Sequence, residues 1–208
     1  MELEQGAKSL GIDLSSHQVD LLNAYLALLQ KWNKAYNLTA VRNPAEMVPL
    51  HLLDSLAVAR FVRGSSIIDV GTGAGLPGIP LSILFPQVQF VLLDSNVKKT
   101  RFCQQAAIEL KLDNVTVVHG RVEAFKSESL GFDGGFDVVF SRAFAPLERL
   151  ISLTQHLCAA DGRIMAMKSS RAPEELTLLP KTWALAAQHD FSVPGVDAPR
   201  CVLELTRL

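Results

Sequence analysis

Residues 66–78 constrain this chain most. Ser66-Ile67-Ile68-Asp69-Val70 is an apolar run suited to a buried strand, and it passes directly into Gly71-Thr72-Gly73-Ala74-Gly75-Leu76-Pro77-Gly78, where four of eight residues are glycine. Glycine lets the backbone turn sharply and approach a ligand where a Cβ would collide, and it costs backbone entropy where neither use is made of it. Pro77 suits the first turn of a following helix. A junction of strand, glycine turn and helix leaves free N–H groups and a positive dipole end aimed at a ligand, which favours a carboxylate or phosphate there. The segment therefore reads as a nucleotide-cradling loop, with a plain strand-to-helix turn as the lesser alternative.

Two ligand patterns overlap in this loop. Gly73-Ala74-Gly75-Leu76-Pro77-Gly78 fits the G-x-G-x-x-G dinucleotide fingerprint, with Asp94 lying 21 residues beyond Gly73. Asp69, two residues before Gly71, gives the order Asp-x-Gly-x-Gly-x-Gly. That order resembles motif I of the class I S-adenosylmethionine-dependent methyltransferases, in which the acidic residue ends the first strand.

A chain of 208 residues with 49% hydrophobic content has ample material for one substantial core. Its formal charge of −1 gives no basic field strong enough to hold nucleic acid by charge alone, so any RNA contact must be local. Cys103, Cys158 and Cys201 are scattered, odd in number and free of C-x-x-C spacing, which argues against a disulfide framework and against a zinc site. The first eleven residues lack the apolar segment of a signal peptide, and no run approaches the roughly 18 apolar residues of a membrane span. A soluble, cytoplasmic protein without metal or membrane is expected.

Leu22, Leu26, Leu29, Trp32 and Tyr36 recur at helical spacing and predict an amphipathic helix over His17–Tyr36. A second helical stretch, about Pro44–Phe61, follows the Asn43-Pro44 break and is closed by Gly64. Residues 1–63 read as an N-terminal helical extension, and 64–208 as the main domain. From Ser66 onward short apolar runs alternate with amphipathic segments, which predicts a parallel sheet. The strands fall at Ser66–Val70, Gln89–Leu93, Val115–Val118, Phe136–Ser141 and Arg163–Met167. Helices are expected at Ile79–Phe85, Val97–Leu110, near Arg121–Phe125 and at Leu147–Leu157. A last helix is expected over Glu174–Ala187, before a hairpin of His189–Val193 and Cys201–Thr206 turning across Pro194-Gly195 and Ala198-Pro199. About seven strands result, in an α/β Rossmann-like arrangement.

In an open α/β sheet ligands sit beyond the carboxyl ends of the strands. Asp94 ends the second strand, where its carboxylate suits two ribose hydroxyls; Asp94, Ser95 and Asn96 are also good helix caps. Asp69 either orients the glycine loop or meets a ligand ammonium. Gly120-Arg121-Val122-Glu123 follows the third strand, where a nucleotide-binding sheet grips adenine, and Glu123 has solvated helix residue as its alternative. Ser141-Arg142-Ala143-Phe144 ends the fourth strand and offers charge and stacking to a substrate base. Lys168 ends the fifth strand at the neighbouring rim, with surface lysine as its alternative. Trp32 and Tyr36 read as core, and Asn33, Asn37, His51 and Asp54 as buried hydrogen-bonding residues fastening the extension or framing the entrance. Lys31, Lys34, Arg42, Lys98, Lys99 and Arg101 offer local positive charge for phosphates, with solvated surface residues as the alternative.

No Pro-Pro-aromatic signature follows the fourth strand and no Pro-Cys pair occurs, which disfavours exocyclic-amine and pyrimidine carbon-5 methylation. The five histidines are isolated, against a metal-dependent O-methylation site. A target with its own lone pair, such as a guanine N7, needs mainly positioning groups.

Taken together, Lys31–Thr39, His51–Ser55, Asp69–Pro80, Leu92–Ser95, Arg121–Glu123 and Ser141–Phe144 closely resemble the bacterial 16S ribosomal RNA guanine-N7 methyltransferase G family, also called glucose-inhibited division protein B. The resemblance spans nearly the full chain. It implies a seven-stranded class I methyltransferase fold, S-adenosylmethionine as cofactor, and methyl transfer to the N7 of a guanosine in the 530 loop of 16S RNA, on naked RNA or the small ribosomal subunit. It implies that Gly71, Leu76, Val122, Glu123 and Arg142 hold the cofactor, with Asp94 assisting; the loop reading adds Asp69, Gly73 and Gly75. Arg142 and Lys168 are the candidate catalytic residues, and a monomer is expected. The chain departs from the family at Met167-Lys168-Ser169, where a glycine is expected after the lysine. The alternatives are a nicotinamide-dependent oxidoreductase using Gly73–Gly78 and a non-catalytic, cofactor-sensing RNA-binding module.

Overall fold

The computed structural model describes residues 2–142, 145–168 and 173–208. Its centre is a seven-stranded sheet of order β3-β2-β1-β4-β5-β7-β6. The strands are β1 (Ser66–Val70), β2 (Gln89–Asp94), β3 (Val115–His119), β4 (Phe136–Arg142), β5 (Cys158–Lys168), β6 (Trp183–Val193) and β7 (Val196–Arg207). The first five are mutually parallel, and β7 runs antiparallel to both β5 and β6. The strand order reverses at β1/β4, the position at which open α/β sheets open a ligand crevice beyond their carboxyl ends. β1 is buried on both faces, as parallel strands covered by helices are.

The helices are α1 (Leu3–Ser9), α2 (Ser16–Tyr36), α3 (Pro44–Met47), α4 (Asp54–Leu56), α5 (Gly78–Leu84), α6 (Val97–Glu109), α7 (Leu147–Thr154) and α8 (Pro173–Thr177). α2 starts on a capping box, in which the Ser15 hydroxyl accepts from the Gln18 N–H while the Gln18 side chain accepts from the Ser15 N–H. It stops where Asn37 takes the left-handed conformation, φ +51°. Its buried stripe of Leu22, Tyr25, Leu26 and Leu29 packs in one cluster with Ile79 of α5 and Phe102 of α6. A second cluster joins the other face of the sheet, through Ile68 and Val70, to Leu147, Leu150 and Ile151 of α7. Among the described residues no helix is long and apolar enough to cross a membrane.

Three expectations are corrected. The stretch Pro44–Phe61 is not one helix: α3 opens into a π-helical segment, Val48–Leu53, then α4 and a 3-10 turn, Ala59–Phe61. The helix expected over Glu174–Ala187 ends at Thr177, and β6 begins at Trp183. Pro180 stands between them, and a proline inside a helix removes a hydrogen bond and clashes with the preceding turn. The terminal hairpin turns at Pro194-Gly195, whereas Ala198-Pro199 lies within β7, beyond the part of that strand paired with β5.

Candidate cofactor and RNA site

The glycine loop is held from beneath by Asp69. This carboxylate is 1% exposed; its Oδ2 accepts from the Thr72 hydroxyl at 2.7 Å and from the Gly78 N–H at 3.0 Å. Its Oδ1 is buried with no hydrogen-bond partner among the described residues. Burial therefore pushes the carboxyl up to about 6, against the pull of those two bonds. The N-terminus of α5 thus faces Asp69, which corrects the expectation that its free N–H groups aim at a ligand. Gly78 serves that contact, since a Cβ there would lie 2.2 Å from the Leu92 side chain and 3.0 Å from Asp69 Oδ2.

Above the loop lies a cavity of about 640 Å³ at the carboxyl ends of β1, β2, β3 and β4. Gly71, Gly73, Leu76, Asp94, Val122, Glu123 and Arg142 all line it, so most of the sequence-predicted residues converge. Asp69 and Gly75 are not in the lining: Asp69 lies under the loop, and Gly75 packs against Ile79 and Cys103. Gly73 is the position at which the backbone meets the cavity. It has φ +61°, and a Cβ there would find nothing nearer than 3.9 Å, so any side chain would occupy the cradle itself.

Asp94 closes the floor. Its Oδ2 accepts from the Gly73 N–H at 2.9 Å and its Oδ1 from the Asn96 N–H at 2.8 Å, while Asn96 itself caps α6. Each carboxylate oxygen carries a second lone pair, so two acceptor positions remain. The loop is latched from the other side by the Tyr25 hydroxyl, which donates to the Ala74 carbonyl at 2.7 Å. Tyr25 is fully buried, and the sequence reading did not single it out.

Arg142 reaches the cavity from β4 while its Nη1 donates to Asp54 Oδ2 at 3.1 Å. Asp54 is 4% exposed and its Oδ1 accepts from Arg200 Nε at 2.7 Å, so one buried carboxylate holds two arginines. Arg200 escaped the sequence reading; no local pattern announces a partner 146 residues from Asp54. Asp54 is the one member of the Asn33, Asn37, His51 and Asp54 group whose side chain ties the helical segment to the sheet. Asn33 and His51 instead shape the turn after α2. Asn33 accepts from the Thr39 N–H and donates to the Val41 carbonyl, and His51 Nε2 lies 3.1 Å from Thr39 Oγ1. That turn brings Leu38 and Thr39 into the cavity wall. Burial, with the charge of Arg142, pushes the His51 imidazole down to about 4. Asn37 is exposed and accepts from Arg42.

Lys168, read from sequence as a rim cation, is paired in the structure. Its Nζ donates to Glu175 Oε2 at 2.9 Å and to the Ala145 carbonyl at 3.1 Å, and it is not part of the cavity lining. Glu175 also accepts from the Leu147 N–H at the start of α7. These bonds hold the Glu175 carboxyl below its ordinary value despite the opposing desolvation. Ala143, Phe144 and Ser169 lie outside the described residues.

The family model described as GidB, rRNA small subunit methyltransferase G, matches residues 18–203. The ribosomal RNA small subunit methyltransferase G of Pseudomonas syringae pv. syringae (strain B728a) is 52% identical over 206 residues, covering 99% of this chain and 94% of that protein. The protein of the same name from Stutzerimonas stutzeri (strain A1501) is 54% identical over 208 residues, covering 99% and 94%. Among solved structures, the glycopeptide N-methyltransferase MtfA complexed with (S)-adenosyl-L-methionine superposes with a TM-score of 0.60 at 14% identity, over 76% of this chain and 87% of that one. The ribosomal protein L11 methylase from Lactobacillus delbrueckii subsp. bulgaricus gives 0.53 at 17% identity, over 79% of each. At these identities the structural likeness establishes the fold, the Rossmann-like fold of S-adenosylmethionine-dependent methyltransferases. With sequence identity above one half along nearly the whole length, the chain belongs to the ribosomal RNA small subunit methyltransferase G family.

Proposed function

We propose that this protein transfers a methyl group from S-adenosylmethionine to the N7 of a guanosine in the 530 loop of 16S ribosomal RNA, as a cytoplasmic monomer. The observation that carries the reading is the cavity beyond β1, β2 and β4, where Gly73 leaves open space above the backbone and Asp94 keeps acceptor positions, in a chain of this family. A volume of about 640 Å³ suits a nucleoside-sized ligand. The bound cofactor supplies a methyl group on a cationic sulfur.

The residues then divide the work. Asp94 accepts from the ribose hydroxyls with the lone pairs its two backbone amides leave, and Val122 and Glu123 line the adenine end. Gly71, Gly73 and Leu76 cradle the ligand, while Asp69 and Gly75 support the loop from beneath. Arg142, fixed by Asp54, presents a planar guanidinium to cofactor or base edge. Lys168 serves the RNA as a point charge once its bond to Glu175 yields. A guanine N7 already carries a lone pair, so no side chain has to withdraw a proton and positioning supplies the catalysis. Residues 1–63 act as an extension that frames the entrance through Leu38 and Thr39. Calorimetric titration with S-adenosylmethionine and with NAD(H) tests the cofactor: saturable binding of the first alone is expected, and binding of NAD(H) alone would favour an oxidoreductase.

A further inference from the structure

We propose that Tyr36 is a stacking platform for an unpaired base of the RNA substrate at the mouth of the cofactor cavity, an inference that rests on the RNA reading above. The i, i+4 pair Trp32 and Tyr36 reads from sequence as core, yet Tyr36 is 44% exposed at the last turn of α2. Its ring is backed by Trp32, with centroids 5.2 Å apart and planes at 35°. Trp32 in turn meets the fully buried Phe102 edge-on at 5.7 Å. This ladder from core to surface orders the Tyr36 ring before any ligand arrives, which lowers the entropy cost of binding there.

The position and the charge around it select the partner. Two and three residues beyond Tyr36, Leu38 and Thr39 line the cavity. α2 packs on α6 through Trp32 and Phe102, and α6 begins just after the cavity residues Asp94 and Ser95, so the end of α2 and the start of α6 flank one entrance. Residues 31–45 and 95–108 contain Lys31, Lys34, Arg42, Lys98, Lys99 and Arg101 and not one Asp or Glu, in a chain whose net charge is −1. Arg42 donates to Asn37 Oδ1 at 3.1 Å, which sets a guanidinium beside the residue after Tyr36, and Lys99 reaches the cavity wall. An exposed aromatic face on a segment rich in cations suits a polyanion that presents flat bases, and every base has a face to stack.

The test is equilibrium binding of a fluorescein-labelled single-stranded RNA oligonucleotide and of small ribosomal subunits to wild type, Tyr36→Ala, Tyr36→Phe and Tyr36→Trp. Loss of one base–aromatic stack weakens binding about tenfold, so Tyr36→Ala should fall by that factor while Phe and Trp retain affinity. S-adenosylmethionine binding should stay at the wild-type value in all three, the melting temperature should fall by no more than a few degrees in Tyr36→Ala, which loses its packing on Trp32, and the indole introduced by Tyr36→Trp should be quenched on adding RNA. Wild-type affinity in Tyr36→Ala, or equal losses in the Ala and Phe variants, would overturn the platform while leaving the RNA reading intact. If wild type binds neither RNA nor subunits, the RNA reading fails and the platform with it.

Discussion

Replacing Asp94 by alanine removes two interactions at once, and their effects separate in two assays. The carboxylate accepts the Gly73 N–H at 2.9 Å and the Asn96 N–H at 2.8 Å, tying the glycine loop to the start of α6. Hydrogen bonds to a charged group contribute about 1.5–3 kcal/mol each. The side chain is 9% exposed beside an open cavity, so water reaches the freed amides and recovers part of that sum. A net destabilisation of about 2–4 kcal/mol is expected, which lowers the melting temperature of a chain this size by roughly 5–15 °C. Loss of the ribose acceptors should weaken S-adenosylmethionine binding by about tenfold to a hundredfold, from the same energy per charged bond. Asparagine is no isostere here, because turning its oxygen to one amide sets its NH₂ against the other. Thermal melts of the ligand-free protein, and calorimetric titration well below the lowered melting temperature, read the two effects. An unchanged melting temperature would refute the loop-tying role, and unchanged affinity in a folded variant would refute the ribose assignment.

Gly73→Val should abolish cofactor binding by filling the cradle, with a moderate stability cost of about 1–2 kcal/mol for a branched residue at positive φ; saturable binding in a titration would contradict this. Asp69 and His51 oppose each other in pH: the Asp69 carboxyl, raised from 3.8 to about 6, contributes stability that is present below pH 4 and lost as pH rises through 6. The His51 imidazole, lowered from 6.5 to about 4, contributes stability present above pH 6.5 and lost as pH falls toward 4. Asp69→Asn should therefore unmask a rise in stability from pH 4 to 6 on the order of 2 kcal/mol relative to wild type, read by urea denaturation; parallel pH profiles would contradict it. Glu175→Gln should free Lys168 for phosphate and steepen the slope of log K for RNA against log salt by about 0.7, whereas an unchanged slope marks Lys168 as purely structural.

The sheet was legible because its central strands are short apolar runs, β1 stopped by Gly71 and β2 by Asp94, a pattern set by burial on both faces. The C-terminal region was not, since Ala184, Leu185 and Ala187 suit a helix locally and become strand through pairing with Leu205, Thr206 and Glu204 of β7. Pro180 was the available warning. In the site, Gly73, Asp94, Val122, Glu123 and Arg142 were readable from their places at strand ends. The Asp54 bridge to Arg142 and Arg200 and the Tyr25 latch on the Ala74 carbonyl join distant segments that only the folded chain brings together, and the Glu175 hold on Lys168, seven residues away, depends on how β5 and α8 meet. Asp69 was readable as a carboxylate of the loop, and its burial decides that it organises the loop from beneath.

The most direct measurement is methyl transfer itself. S-adenosylmethionine labelled in its methyl group is incubated with the protein and either naked 16S ribosomal RNA or small ribosomal subunits, and the labelled nucleotide is mapped. The account predicts label at the N7 of one guanosine in the 530 loop, with at least one of the two substrates. Label on another atom or another region of the RNA, or no transfer to either substrate by a protein that binds the cofactor, would contradict it.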